Sequence, residues 1–173
     1  MEKHQEVKDT NKIANLQYVN FDIINEPWNK YKLSDGSILK SKFVLINVLT
    51  DKDFKENVKK SHIDKKDAIG LTMQSHNVVG VEVPENLRGP ADNKIYSKQE
   101  LRAAIVEDDL DTETLSETWN SYNVEGEITL KIKSTPIRVS RTNKFDSYGI
   151  PTYLYDFSAD FKVNPSEKSK KVE

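Results

Sequence analysis

The sequence predicts a mainly β, β-rich α+β fold. It would consist of two tandem repeats of a small antiparallel β-sheet or barrel unit, with one connecting helix near residues 98–106. Three observations predict it. Several runs alternate apolar and polar side chains, the period of a half-buried strand. Residues 26–48 match residues 117–139 without a gap, at an offset of 91. One segment, beginning at Ser97, carries the chemistry of a helix start.

The first alternating run places Val19, Phe21 and Ile23 on one face, and Tyr31 and Leu33, interleaved with Lys30 and Lys32, continue it. Ser34-Asp35-Gly36-Ser37 then predicts a hairpin of type I′, whose two central residues need positive φ. The return strand spans 38–48. Leu39, Ser41, Phe43 and Leu45 form one face; Lys40, Lys42, Val44, Ile46 and Val48 form the other. Its second half is apolar on both sides, as in a strand that runs through the middle of a sheet.

Residues 51–67 carry many lysines and acids with few apolar anchors, so a long solvated loop or poorly ordered excursion is expected. The lesser alternative is a short amphipathic helix using Phe54, Val58 and Ile63. Strand character resumes at 69–73 and 78–83, and Gly89-Pro90 marks a breaker. Ser97 followed by Glu100 is a capping-box pattern ahead of Leu101, Ala104 and Ile105, and it predicts the helix. The expected organisation is a disordered tail over 1–12, a first β repeat over 13–88, a linker with the helix over 89–110, a second β repeat over 111–164, and a disordered tail over 165–173.

The repeat is carried by rare residues. Glu26, Trp28, Asn29 and Tyr31 lie over Glu117, Trp119, Asn120 and Tyr122, and both tryptophans of the chain fall on this register. Leu39-Lys40 and Lys42 lie over Leu130-Lys131 and Lys133. More loosely, Val81-Glu82-Val83 resembles Phe161-Lys162-Val163. Alternation alone makes strands resemble one another, but Trp-Asn-x-Tyr is harder to obtain that way. Pro136 falls in the second long strand and predicts an edge or a bulge there. A unit of this size is marginal alone, so the two copies are expected to pack together and share a core.

Composition narrows the function. There is no cysteine, which removes disulfides, thiolate nucleophiles and cysteine zinc sites. A formal net charge of −2 gives no global attraction to phosphate or anionic lipid. No run is long and apolar enough to span a bilayer, and the polar first twelve residues predict no signal peptide. A soluble, cytoplasmic chain without membrane contact is expected. Nucleophile elbows, phosphate-binding glycine loops and dinucleotide fingerprints are absent. No catalytic, cofactor-binding or metal-ligating residue is assigned, and no cofactor is expected. Acids crowd 107–117, but Thr114 and Asn120 occupy the positions where a calcium loop starting at Asp109 needs Gly and Glu. His76 is expected in a turn.

Lysines beside aromatics make the candidate binding surface: Trp28, Tyr31, Lys40, Lys42, Trp119, Tyr122, Lys131 and Lys133. Ammonium groups near exposed rings suit the phosphates and bases of a single strand. The plainer reading puts the lysines on a solvated face and the rings in the core. Tyr153, Tyr155 and Phe157, spaced by two, are expected to share a face buried as core or interface. The expected function is a non-catalytic binding or assembly module, not an enzyme, with an unknown protein partner or self-association. The alternatives are a nucleic-acid binder using the lysine-rich hairpin faces and a small metal-dependent hydrolase using the 107–117 carboxylates.

Overall fold

The structure is a computed structural model that describes residues 16–60 and 70–166. The chain is mostly strand, arranged as two antiparallel sheets with few helical turns. In order, the strands are β1 (Gln17–Val19), β2 (Phe21–Asn25), β3 (Asn29–Leu33), β4 (Ile38–Thr50), β5 (Leu71–Glu82), β6 (Ile105–Glu107), β7 (Thr112–Ser116), β8 (Asn120–Val124), β9 (Ile128–Phe145) and β10 (Pro151–Pro165). Helices α1 (Phe54–Lys60) and α2 (Lys98–Ala103) are short.

The expected tails fall outside the described residues, except that Pro165 closes β10 and the Ser166 N–H donates to the Glu127 carbonyl at 2.9 Å. The charged excursion holds α1 rather than only a loop. Phe54 and Val58, four apart and hence on one helix face, are both buried in the core; Ile63 lies outside the described residues. The predicted capping box is present at α2. The Ser97 hydroxyl accepts from the Glu100 N–H, and the Glu100 carboxylate accepts from the Ser97 N–H. The helix is shorter than predicted, ending at Ala103, because Ile105 is taken up in β6 opposite Thr142.

The first sheet contains β4 at its centre, with β5 along one side and β3 and β1 sharing the other; β7 lies outside β3. The second has β9 at its centre, with β10 along one side and β8 and β6 sharing the other; β2 lies outside β8. Strands β2 and β7 therefore each join the sheet built around the other half of the chain.

The pairings recur at the offset of 91. Phe21 pairs with Val124, and Thr112 pairs with Leu33; Asp22 pairs with Asn123, and Glu113 with Lys32. Ile24 and Leu115 are both skipped at register shifts, and so are Ile46 and Ile137 on the long strands. A bulge leaves its extra residue unpaired and bends the strand. The bulge beside Pro136 fits its missing N–H, yet Ile46 bulges with no proline nearby, so the bend belongs to the architecture. In β5 and β10 the register corrects the loose sequence match: Leu39 pairs with Val81 and Leu130 with Val163, so Val81 corresponds to Val163 rather than to Phe161.

The first hairpin turn differs from expectation, and the second differs from the first. Gly36 alone is left-handed (φ 90°) in the first, so Asp35-Gly36 does not make a type I′ turn. In the second, Glu125 (φ 53°) and Gly126 (φ 73°) are both left-handed, and the Glu127 N–H donates to the Val124 carbonyl at 3.0 Å. The type I′ signature falls on that turn.

Each core cluster draws on both halves. Phe43, Leu45, Val48 and Phe54 pack with Tyr122, Val124, Ile128, Leu130 and Ile132. Tyr31, Leu33 and Leu39 pack with Leu110, Val139 and Tyr153. The expected single shared core is thus two clusters. His76 is mid-strand opposite Val44, not in a turn.

Candidate binding surface

The sequence pattern puts Tyr31 and Tyr122 on the inner face of β3 and β8. Both are buried, at 1% and 0% exposure, so neither belongs to a contact surface. Their rings fill the cores because alternation aims them inward, while Lys30 and Lys32 point out. Each hydroxyl reaches a carboxylate of the opposite half. Tyr31 Oη donates to Glu117 Oε2 at 2.8 Å, and Tyr122 Oη donates to Glu26 Oε1 at 2.9 Å. Burial first, then the neighbouring carboxylate, pushes both phenols up.

The carboxylates are tied down by matched partners. Lys42 Nζ lies 3.5 Å from Glu26, and Lys133 Nζ lies 3.1 Å from Glu117. The Leu45 N–H donates to Glu26 at 3.4 Å. Pro136, at the corresponding place, has no N–H, and the Thr135 hydroxyl donates to Glu117 at 3.2 Å instead. Burial alone would raise the Glu117 carboxyl; hydrogen bonds from Tyr31, Lys133 and Thr135 outweigh it and hold the group below its usual value. Lys42 and Lys133 are thereby committed to internal pairs.

Outside these pairs stand the indoles and the remaining lysines. Trp28 is 48% exposed. It lines an open depression of about 350 Å³ with Lys30 and Lys40, which oppose each other across β3 and β4. Lys40 is paired with Glu82, whereas Lys30 and Lys32 make no ion pair among the described residues. Trp119 is half-buried and covered: Lys162 Nζ lies 4.4 Å and Lys133 Nζ 5.3 Å from its ring centroid. Lys131 is exposed beside it, opposite Lys162.

Sequence reasoning missed four residues of this surface, one of them Lys30, which the candidate set omits although it lines the Trp28 depression. Glu26 and Glu117 stood in the matched pattern but were not read as site residues; their identity at the same offset was the available signal. Lys162 is brought to Trp119 only by the β9–β10 register, which no short motif encodes.

The acids of 107–117 do not converge. Asp108 binds Arg138 at 2.6 Å and Ser140 at 2.6 Å, Glu107 binds Arg141 at 2.6 Å, and Glu117 is held inside. The Ser140 and Arg138 hydrogen bonds hold Asp108 below its usual value. Among the described residues no group of three His, Asp or Glu is placed to hold a metal ion, and no helix is long and apolar enough to cross a membrane. Of the aromatic stripe, Tyr153 is buried against Asp35 (2.7 Å) and Phe157 packs on the core, while Tyr155 is exposed. The Tyr155 and Phe157 rings meet edge-on with centroids 5.7 Å apart, so the expected common face is present but runs from buried at Tyr153 to exposed at Tyr155.

No family model matches the chain, and neither a curated protein nor a solved structure matches it.

Proposed function

We propose that the protein is a non-catalytic binding module, built from a duplicated β unit, whose ligand rests on the outer face of the first sheet around Trp28. The observation that carries this reading is the exposed indole in its depression with Lys30 and Lys40, carried on strands whose inner faces are fixed in the core. A half-exposed indole flanked by lysines offers a partner both a ring face to pack on and charge to pair with. The recurrence of Trp, Lys and Glu at one offset supports the duplication, and the dispersal of the 107–117 acids among separate partners favours binding over metal-dependent hydrolysis.

A Trp119→Phe variant tests the reading by leaving Trp28 as the sole indole. Its emission is expected to shift and saturate with oligothymidylate, with polyglutamate, or with rising protein concentration if the occupant is a second copy. Emission flat in all three titrations contradicts it.

A second reading, nucleic-acid binding, is favoured by one particular: the outward positions of β3 and β4 hold Lys30, Lys32 and Lys40, faced by Glu82 of β5 and Glu113 of β7, and of the three only Lys40 makes an ion pair among the described residues.

A further inference from the structure

The two tryptophan sites differ at one aligned position. Lys40 pairs with Gly80 across β4 and β5, and Lys131, its counterpart, pairs with Lys162 across β9 and β10. Gly80 therefore holds the place of Lys162. At Trp119 that lysine lays its ammonium over the ring at 4.4 Å. At Trp28 there is no side chain to do so: a Cβ added at Gly80 would meet nothing within 4 Å, and among the described residues no ammonium covers the indole.

A second difference moves charge from above the ring to beside it. Lys30 stands where the second site has Ser121, and it lines the Trp28 depression. One site is thus closed by the chain's own cation. The other presents a bare ring face flanked by Lys30, which makes no contact ion pair among the described residues. Lys40 is paired with Glu82, so Lys30 and Lys40 leave a net positive charge beside Trp28, and a second ammonium set over the ring would meet Lys30 as a like charge, which disfavours a cationic occupant. A planar ring attached to an anion satisfies both features, with the ring stacking on indole and the anion meeting lysine.

We propose that the Trp28 depression is a stacking site for single-stranded nucleic acid. One base lies on the indole in the space Gly80 leaves open, and the adjoining phosphates lie against Lys30 and Lys40. This rests on the reading of that face as the ligand surface and names the ligand class.

Fluorescence anisotropy of a labelled oligothymidylate, measured across a salt series, tests it. Wild-type protein is expected to bind at low salt and to lose affinity as salt rises. Gly80→Lys, which restores the covering lysine, is expected to weaken binding roughly tenfold although it adds a positive charge. Gln99→Lys, which adds the same charge on α2, is expected not to weaken it. Trp28→Leu reports on the ring without touching Gly80 and is expected to match Gly80→Lys. Lys30→Ser should lower the slope of log affinity against log salt by about one. No binding by wild type at low salt overturns the proposal, and so does Gly80→Lys binding as tightly as Gln99→Lys. If Trp28 emission then still responds to polyglutamate or to protein concentration, the binding face stands and only its ligand class is wrong.

Discussion

The Tyr31 hydroxyl donates to the Glu117 carboxylate at 2.8 Å, and Tyr122 and Glu26 form the same bond in the opposite sense at 2.9 Å. Each phenol of one half anchors an acid of the other. Removing a hydroxyl leaves a largely buried carboxylate short of a donor, and a hydrogen bond to a charged group contributes about 1.5–3 kcal/mol. Tyr31→Phe and Tyr122→Phe should each cost that much in urea unfolding, and the two should agree within about 1 kcal/mol. A loss confined to one of them would show that the paired geometry is not paired in energy.

Acid should weaken the fold through Glu117. Its carboxyl is held below the usual value of 4.5. A lowered folded-state value means that the stabilisation is present above the unfolded value and is lost as pH falls through the folded one. Between about pH 6 and about pH 3, wild type should therefore lose more stability than Glu117→Gln. Parallel pH profiles for the two proteins would contradict this.

The tryptophans should contribute unequally. Fully buried anchors would cost about 3–5 kcal/mol on truncation to alanine. Trp28 is 48% exposed, so Trp28→Ala should cost less than about 2 kcal/mol. Trp119→Ala also removes the ring beneath Lys133 and Lys162, with each such contact adding about 0.5–1 kcal/mol, and it should cost more. Chemical denaturation of both variants gives the order directly.

Local chemistry was legible in the sequence. Alternation gave the inner faces of β3 and of β4 as far as Leu45, but the bulge at Ile46 turns Val48, expected on the opposite face, into the core beside Leu45; Ser97 with Glu100 marked the start of α2. The match of Trp28 with Trp119 located the offset of 91 at which the strand pairings also agree. What stayed hidden depends on contacts far apart in the chain. Nothing in Thr112–Ser116 says that it will pair with Leu33 rather than with its own half, because pairing partners are set by the global packing. Phe54 and Val58 looked too sparse for a helix until the core supplied a surface for them. Tyr31 and Tyr122 carry hydroxyls that suggest a contact surface, and only the acids of the opposite half explain how they are satisfied inside. The covering of Trp119 by Lys162 likewise follows from strand register.

The two halves of the chain interleave: β2 and β7 are exchanged, and each core cluster draws on both halves. The decisive measurement is to produce residues 1–96 and 97–173 as separate chains and record amide spectra of each alone and mixed. Each alone should lack dispersed signals, and the mixture should recover the spectrum of the intact protein. Two fragments that each give a dispersed, cooperatively melting spectrum without the other would contradict it.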